Sequence, residues 1–106
     1  MKKKVVVLGA GKSGVGAALL AQEQGFSVFV SDASSISKTT QDLFNKEHIF
    51  WEENQHTLNT MRDAHWIIKS PGIPKEAPII KDLISHSKTV VSEIEFASRY
   101  TKANII

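Results

Sequence analysis

The stretch GAGKSG, residues 9–14, combines three glycines with a lysine and a serine, a set suited to holding a phosphate group. Its spacing resembles two different phosphate-binding loops. If Lys12 and Ser13 ended the ATPase loop G-x-x-x-x-G-K-[ST], the first glycine would have to stand at position 6. That position is Val6, and valine does not adopt the positive φ that such a loop needs. The G-x-G-x-x-G interpretation therefore remains.

The neighbouring residues place this loop between a strand and a helix. Lys4–Leu8 is an apolar, β-branched run, and a helical pattern begins at Ser13. A phosphate at the start of that helix would be favoured by about 0.3–1 kcal/mol for a single exposed charge. Gly11 would let the phosphate approach the backbone, and Gly14 would let the helix pack close to the sheet. Lys12 could add a charge and Ser13 a hydroxyl.

Strand and helix patterns alternate along the rest of the chain, which predicts an α/β fold. We expect a Rossmann-like open parallel sheet of about five strands with helices on both faces and right-handed crossovers. The strand order stays open. On or beside the inward face of the first helix we expect Val15, Ala18, Leu19 and Gln22, and facing inward in the second helix Leu43 and Phe44. Predicted strands cover Lys4–Leu8, Phe26–Ser31, Ile49–Trp51, His65–Lys69 and Thr89–Val91, and predicted helices Ser13–Gln24, Thr39–Lys46, Thr57–Arg62, Ala77–Ser85 and Ser92–Tyr100.

In an open parallel sheet, ligands bind beyond the carboxyl ends of the strands. Asp32 follows the second strand, 18 residues past Gly14. A nicotinamide-binding domain places there the acid that binds the ribose 2′-OH, although an aspartate in this position can also simply cap the loop. Ser70, Pro71 and Gly72 form a turn after the fourth strand. We expect the loops after strands one, two and four to meet at one crevice.

Composition excludes several classes of protein. A chain of 106 residues with 42% hydrophobic residues can build one core, and its net charge of +2 is too small to indicate a nucleic-acid surface. There is no cysteine, hence no disulfide or thiolate metal site. We predict no metal, no signal peptide, no membrane span and a cytoplasmic location. The histidines show no metal-ligand spacing and are interpreted as surface or strand-edge residues: His48, His56, His65 and His86.

The last four residues, ANII at 103–106, form a strand-like apolar run with no helix or cap after it. A natural domain seldom stops within a strand. We therefore predict that the chain is part of a longer polypeptide.

Four segments together resemble the N-terminal domain of the Mur ligases, most of all the D-glutamate-adding branch of that family. The resemblance covers the whole chain. The glycine loop alone is unspecific, whereas SPGIP followed about twenty residues later by SEIEF is much more specific. The segments are VVVLGAGKSG at 5–14, SDAS at 31–34, KSPGIP at 69–74 and VVSEIEFASRY at 90–100, the last followed by ANII.

The resemblance implies that residues 1–102 form a Rossmann-like domain that binds UDP-N-acetylmuramoyl-L-alanine and not NAD. Residues 103–106 would begin a central ATPase domain whose P-loop lies further on. In the full-length enzyme, a monomer that requires ATP and Mg²⁺, ATP would phosphorylate the L-alanyl carboxylate. The amine of D-glutamate would then attack the acyl phosphate, a step of peptidoglycan precursor synthesis.

The resemblance also implies roles for individual residues, none of them catalytic or metal-binding. The 106-residue chain alone is expected to hold no cofactor and to lack ligase and ATPase activity. Some family members place threonine and arginine where this chain has Ala33 and Ser34, so no guanidinium is available to the base. The implied diphosphate residues are Gly11, Lys12, Ser13 and Gly14, and the implied uridine residues are Asp32, Ala33, Ser34, Ser70, Pro71 and Gly72.

Two other functions remain open from the residues alone. The glycine loop together with Asp32 also fits an NAD(P)-binding domain of an oxidoreductase or of an NAD-sensing module. A free-standing nucleotide-sensing or interaction module is the other alternative. A reading frame that continues into G-T-[NG]-G-K-[ST] would decide for the ligase.

Overall fold

A computed structural model describes residues 3–74 and 76–101, which form one parallel sheet covered by helices. Each predicted element is present, with ends that differ by at most one residue. The predicted short helix at Thr57–Arg62 is a 3-10 helix, Leu58–Met61. The strands are β1 Lys4–Leu8, β2 Ser27–Ser31, β3 Phe50–Glu52, β4 Trp66–Lys69 and β5 Val90–Ser92, and the α-helices are α1 Lys12–Glu23, α2 Lys38–Lys46, α3 Pro78–Ser85 and α4 Glu93–Thr101.

The strand order, which the sequence left open, is β3-β2-β1-β4-β5. The chain runs outward from β1 to β3, then crosses back and adds β4 and β5 on the other side of β1. All neighbouring strands are parallel, so their carboxyl ends share one edge of the sheet. The order reverses between β1 and β4, and such a switch point is where ligands bind in folds of this kind.

The central strand β1 is buried on both faces, which explains its uninterrupted apolar sequence. Val5 and Val7 pack into one hydrophobic cluster, and Val6 and Leu8 pack into another on the opposite face. The prediction of helices on both faces is confirmed. The first cluster contains Ala17, Ala18 and Ala21 of α1, Phe44 of α2 and Phe96 of α4, and the second contains Met61 of the 3-10 helix and Ile80 and Leu83 of α3.

Of the residues predicted on or beside the inward face of α1, Ala18 is fully buried. Val15, Leu19 and Gln22 are half-buried and flank the contact. The helix turns its smallest side chains to the sheet, because small residues allow a helix axis to lie close to its neighbour. In α2, Phe44 is fully buried as predicted, while Leu43 is only half-buried. The buried residues of α1 are Gly14, Ala17, Ala18 and Ala21.

The predicted domain start at 103–106 lies outside the described residues. Within the described part, none of the helices has the length and apolar character needed to cross a membrane.

Candidate functional site

The loops that follow β1, β2 and β4 line one crevice of about 550 Å³ at the carboxyl edge of the sheet. The expected convergence of these three loops is therefore confirmed. Five of the predicted site residues line the crevice: Gly11, Asp32, Ala33, Ser34 and Ser70. The remaining lining residues are Gly9, Ala10, His56, Ile73, Ala77, Pro78 and Ile79.

Asp32 joins two of these loops through its carboxylate. One carboxylate oxygen accepts a hydrogen bond from the backbone N–H of Ala10 at 2.8 Å, and the other accepts from the N–H of Ser34 at 2.8 Å. Hydrogen bonds to a charged acceptor are stronger than neutral ones. The sequence left two roles open for Asp32, binding a ribose hydroxyl and capping the loop. These hydrogen bonds show the loop-capping role.

Gly9 brings the loops after β1 and β4 into contact. Its φ is +101°, and a Cβ on this residue would lie 2.8 Å from the Cβ of Ser70. The N–H of Gly9 donates to the carbonyl oxygen of Ser31 at 2.8 Å. Only glycine fits at position 9, because both the positive φ and the short distance to Ser70 exclude a side chain.

The turn after β4 is held by Lys69, whose Nζ donates to the carbonyl oxygen of Ile73 at 2.7 Å.

The N-terminus of α1 opens beside the crevice. The first backbone hydrogen bond of the helix runs from the Val15 N–H to the Gly11 oxygen at 2.9 Å. The N–H groups of the three preceding residues therefore have no acceptor within the helix. Gly11 has no side chain to cap them, and the first turn has no acidic residue. This end of the helix is thus suited to an anion.

Gly14 allows a close approach, but its partner is the loop and not the body of the sheet. A Cβ on Gly14 would lie 2.0 Å from the carbonyl oxygen of Gly9, whereas the nearest sheet atom, in Val7, would be 3.7 Å away. The third glycine of the motif therefore lets α1 begin directly against the turn that holds the crevice.

Other predicted site residues lie apart from the crevice. Lys12 is exposed and lines an adjoining hollow of about 560 Å³ that also contains Gly11 and Asp32. Ser13 instead lines a separate hollow between α1 and α4, because successive helical residues project about 100° apart. Pro71 and Gly72 are exposed in the turn and lie outside the lining of the crevice.

A polar cluster at the ends of β2 and β3 was not predicted. The Ser31 Oγ lies 2.6 Å from the Glu52 Oε2 and 2.7 Å from the His56 Nδ1. The Thr57 N–H and Oγ1 donate to the two carboxylate oxygens of Glu52 at 2.8 and 2.7 Å. The other three histidines are exposed, as the surface or strand-edge interpretation predicted, whereas His56 is half-buried and lines the crevice.

This cluster contains a serine, a histidine and a glutamate, but it is not arranged as a nucleophilic triad. A triad needs an accessible serine and a carboxylate that orients the imidazole. Ser31 is fully buried, and Glu52 binds the serine and not the ring. The cluster instead fixes the position of His56 in the wall of the crevice.

The pKa values of both titratable groups in the cluster, Glu52 and His56, lie below their ordinary values. Burial raises the pKa of Glu52, but the hydrogen bonds from Ser31 and Thr57 outweigh it and hold that pKa below its ordinary value. Burial lowers the pKa of His56, and the nearby Glu52 and Asp32 carboxylates offset only part of this effect. The folded state therefore favours a charged glutamate and a neutral histidine.

We expect the free energy of unfolding to fall as the pH is lowered from 7. Both groups bind protons less readily in the folded state than in the unfolded chain, so protonation favours unfolding. The contribution of His56 to the free energy of unfolding is lost as the pH falls below its ordinary pKa of 6.5. The contribution of Glu52 is lost as the pH falls below its ordinary pKa of 4.5. Urea unfolding over a pH series measures both contributions to the free energy of unfolding. His56→Phe should reduce its pH dependence below pH 6.5, and Glu52→Gln should reduce it below pH 4.5. An unchanged slope in both variants would contradict this account.

One sequence signal could have found the cluster. Glu52 ends β3 as Asp32 follows β2, and both lie at the carboxyl edge of the sheet. The polar residues that end and follow β3 therefore carry the same signal as those after β2. Among the described residues, no group of three or more His, Cys, Asp or Glu side chains is placed to hold a metal ion.

A 3-2-1-4-5 parallel sheet with a glycine-rich loop at its switch point defines a Rossmann-like α/β class of domain. Residues 3–92 match the sequence profile of the family described as Mur ligase MurD-like, N-terminal domain. The chain belongs to this family, as the resemblance indicated.

Relatives with high identity extend over nearly all of the chain. It is 52% identical over 104 residues to a UDP-N-acetylmuramoylalanine–D-glutamate ligase of Bacteroides thetaiotaomicron. The aligned region covers 98% of this chain and 23% of the relative. It is 51% identical over 106 residues to the enzyme of the same name from Porphyromonas gingivalis W83, covering 100% of this chain and 24% of the relative. The chain thus spans about a quarter of the length of these relatives.

A solved structure shows the same fold at low sequence identity. A murein peptide ligase from Psychrobacter arcticus superposes with a TM-score of 0.81 at 20% identity, covering 92% of this chain and 20% of that one. The architecture predicted from the sequence is thereby confirmed.

Proposed function

We propose that this chain is the domain that binds UDP-N-acetylmuramoyl-L-alanine in an ATP-dependent D-glutamate-adding ligase. The observation that carries the proposal is the placement of an apolar crevice directly beside an uncapped helix N-terminus. A nucleoside diphosphate has the matching shape, a flat base next to two charged phosphates. About 50% identity to relatives named for this activity supports the proposal.

The diphosphate is proposed to bind at the start of α1. The free N–H groups at the helix end would hold phosphate oxygens, Gly11 would admit them close to the backbone, and Lys12 would add a positive charge. The Ser13 hydroxyl lines the hollow on the other side of α1, so we assign Ser13 a role through its backbone N–H. Gly14 contributes by allowing α1 to begin against Gly9.

The uridine is proposed to occupy the crevice. Asp32 fixes the loop that carries Ala33 and Ser34, and Ser70 closes the opposite side. Pro71 and Gly72 lie in the exposed turn and would meet only the outer part of the ligand. Because ligand sites combine apolar walls with a few oriented polar groups, the apolar part of the lining would contact the faces of the base. That part consists of Ile73, Ala77, Pro78 and Ile79.

The chemistry is proposed to take place on the rest of a longer enzyme. There ATP, with Mg²⁺, would transfer its γ-phosphoryl group to the L-alanyl carboxylate and leave as ADP. The amine of D-glutamate would displace the phosphate and form the amide. We further propose that residues 1–102 are the substrate domain, that 103–106 begin the ATPase domain, and that the enzyme is a cytoplasmic monomer. The 106-residue chain alone should show no ATP turnover, and measurable turnover by the purified chain would contradict this division.

A binding titration followed by NMR chemical shifts tests the ligand. We expect UDP-N-acetylmuramoyl-L-alanine to shift the amide signals of 11–14, 32–34 and 70–72 in a saturable way, with weak affinity because the rest of the enzyme is missing. NAD is the rival ligand and should shift none of them. Saturable binding of NAD at these residues, without a response to the UDP-sugar, would overturn the proposal in favour of a dinucleotide-binding domain.

A further inference from the structure

Two of the residues that line the crevice have titratable side chains, Asp32 and His56. His56 lines the same crevice as Ala33 and Ser34, which we assign to the base. Its ring is anchored from behind, since the Nδ1 lies 2.7 Å from the Oγ of the fully buried Ser31. Hydrogen bonds of the described residues engage only the Nδ1, so the Nε2 is the ring nitrogen left for a ligand.

The hydrogen bonds around Ser31 decide which ring nitrogen carries the proton. The Oγ lies 2.6 Å from the Glu52 Oε2, 3.1 Å from the Gln55 carbonyl oxygen and 2.7 Å from the His56 Nδ1. An ionised carboxylate and a carbonyl can only accept, and the serine has a single proton to donate. The shortest of these contacts, to the charged carboxylate, takes that proton. The His56 Nδ1 must therefore be the donor to Ser31.

A neutral imidazole that is protonated on Nδ1 has a lone pair on Nε2. Burial lowers the pKa of His56, so the neutral ring is the form present near pH 7. The crevice thus offers a hydrogen-bond acceptor at this position. Asp32 also lines the crevice, where its carboxylate oxygens accept from the N–H groups of Ala10 and Ser34. His56 adds a separate acceptor on the loop after β3.

A ligand that uses this acceptor must present an N–H group. Uracil attached to ribose carries one N–H, at N3, whereas cytosine has a lone pair at that position. We propose that the His56 Nε2 accepts a hydrogen bond from the N3–H of uracil and thereby selects uracil over cytosine. This inference rests on the proposed function and adds to it the residue that reads the base.

The test compares three nucleotides on the unaltered 106-residue chain: UDP, CDP and N3-methyl-UDP. CDP lacks the N3–H without added bulk at N3, and N3-methyl-UDP keeps both uracil carbonyls. We expect each to bind at least roughly tenfold more weakly than UDP, because each would cover the His56 acceptor and leave it unpaired. Equal affinity for UDP and CDP would overturn the assignment. The three nucleotides decide this without any variant.

A variant separates a role in base selection from a structural one. His56→Phe keeps a flat ring but has no acceptor, so its preference for UDP over CDP should fall to near unity. His86→Phe is the matched control, since His86 is exposed at the end of α3 and outside the crevice, and should keep the full preference. A general loss of folding would weaken all three nucleotides alike. A preference that persists in His56→Phe would overturn the inference.

The pH dependence gives a second readout. Glu52 and Asp32 are the charged groups that act on His56 in this cluster. When the ring gains a proton, its Nε2 becomes a donor. Because the terminal phosphate titrates alike in UDP and CDP, UDP binding should weaken more than CDP binding between pH 7 and pH 5. If the chain binds neither UDP nor UDP-N-acetylmuramoyl-L-alanine, the proposed function fails together with the inference. If it binds both without base preference, only the inference fails.

Discussion

Replacing Gly14 by alanine should destabilise the domain by at least about 2 kcal/mol, a large share of the stability of a small domain. The added Cβ would lie 2.0 Å from the Gly9 carbonyl oxygen. That atom belongs to the backbone, so relief requires α1 or the loop after β1 to move. Since the Gly9 loop also packs on Ser70, the movement would distort the crevice. Urea unfolding measures the loss of stability, and a melting point lower by roughly 10 °C would accompany it.

Gly16→Ala is the matched control on the same helix. No atom lies within 4 Å of a Cβ added at Gly16, and the residue is exposed. The substitution should stabilise the domain by about 0.5–1 kcal/mol, because alanine loses less backbone entropy than glycine in a helix interior. Opposite signs for two identical substitutions two residues apart would identify the close approach as the cause. Equal effects at Gly14 and Gly16 would contradict it.

Replacing Asp32 by asparagine should weaken binding of the UDP-sugar by more than roughly tenfold and lower the free energy of unfolding by about 1–3 kcal/mol. The carboxylate accepts from two N–H groups, one in Ala10 and one in Ser34. An asparagine side chain keeps one acceptor and turns an NH₂ group towards the other N–H. The loops after β1 and β2 would then separate, and the space between them is where we place the base.

Calorimetric titration and urea unfolding of Asp32→Asn measure the two effects. Asp42→Asn is the control, because Asp42 forms an exposed ion pair with Lys38 on α2. Such an i,i+4 pair contributes only about 0.3–0.5 kcal/mol and lies outside the crevice. If Asp32→Asn binds the UDP-sugar as tightly as the unaltered chain does, Asp32 does not shape the site.

The part of the fold that local patterns define could be predicted well. The apolar run at Lys4–Leu8 is a strand with those bounds, because a strand buried on both faces needs consecutive apolar residues. The glycine loop lies between that strand and α1, as the motif spacing required. The convergence at the crevice of Gly11, Asp32 and Ser70 also followed from a general rule. In a parallel sheet, the loops after the strands meet at one edge.

Side-chain directions within these segments could not be predicted. Ser13 is adjacent to Lys12 in the loop motif but lines a different hollow, because the first turn of α1 rotates it away. His56 looked like an isolated surface residue. It is instead held at the crevice by Ser31, a residue 25 positions earlier. Contacts of this kind depend on how two strands align, which no local pattern records.

The order of residues alone therefore determines the strand–loop–helix unit, the alternation of elements and the family to which the chain belongs. Each follows from short-range spacing, backbone preferences and apolar periodicity. The strand order, the cap formed by Asp32 and the proton arrangement around His56 exist only after folding. They arise because β2 and β3 end side by side at the carboxyl edge, where their polar residues must satisfy one another's hydrogen bonds.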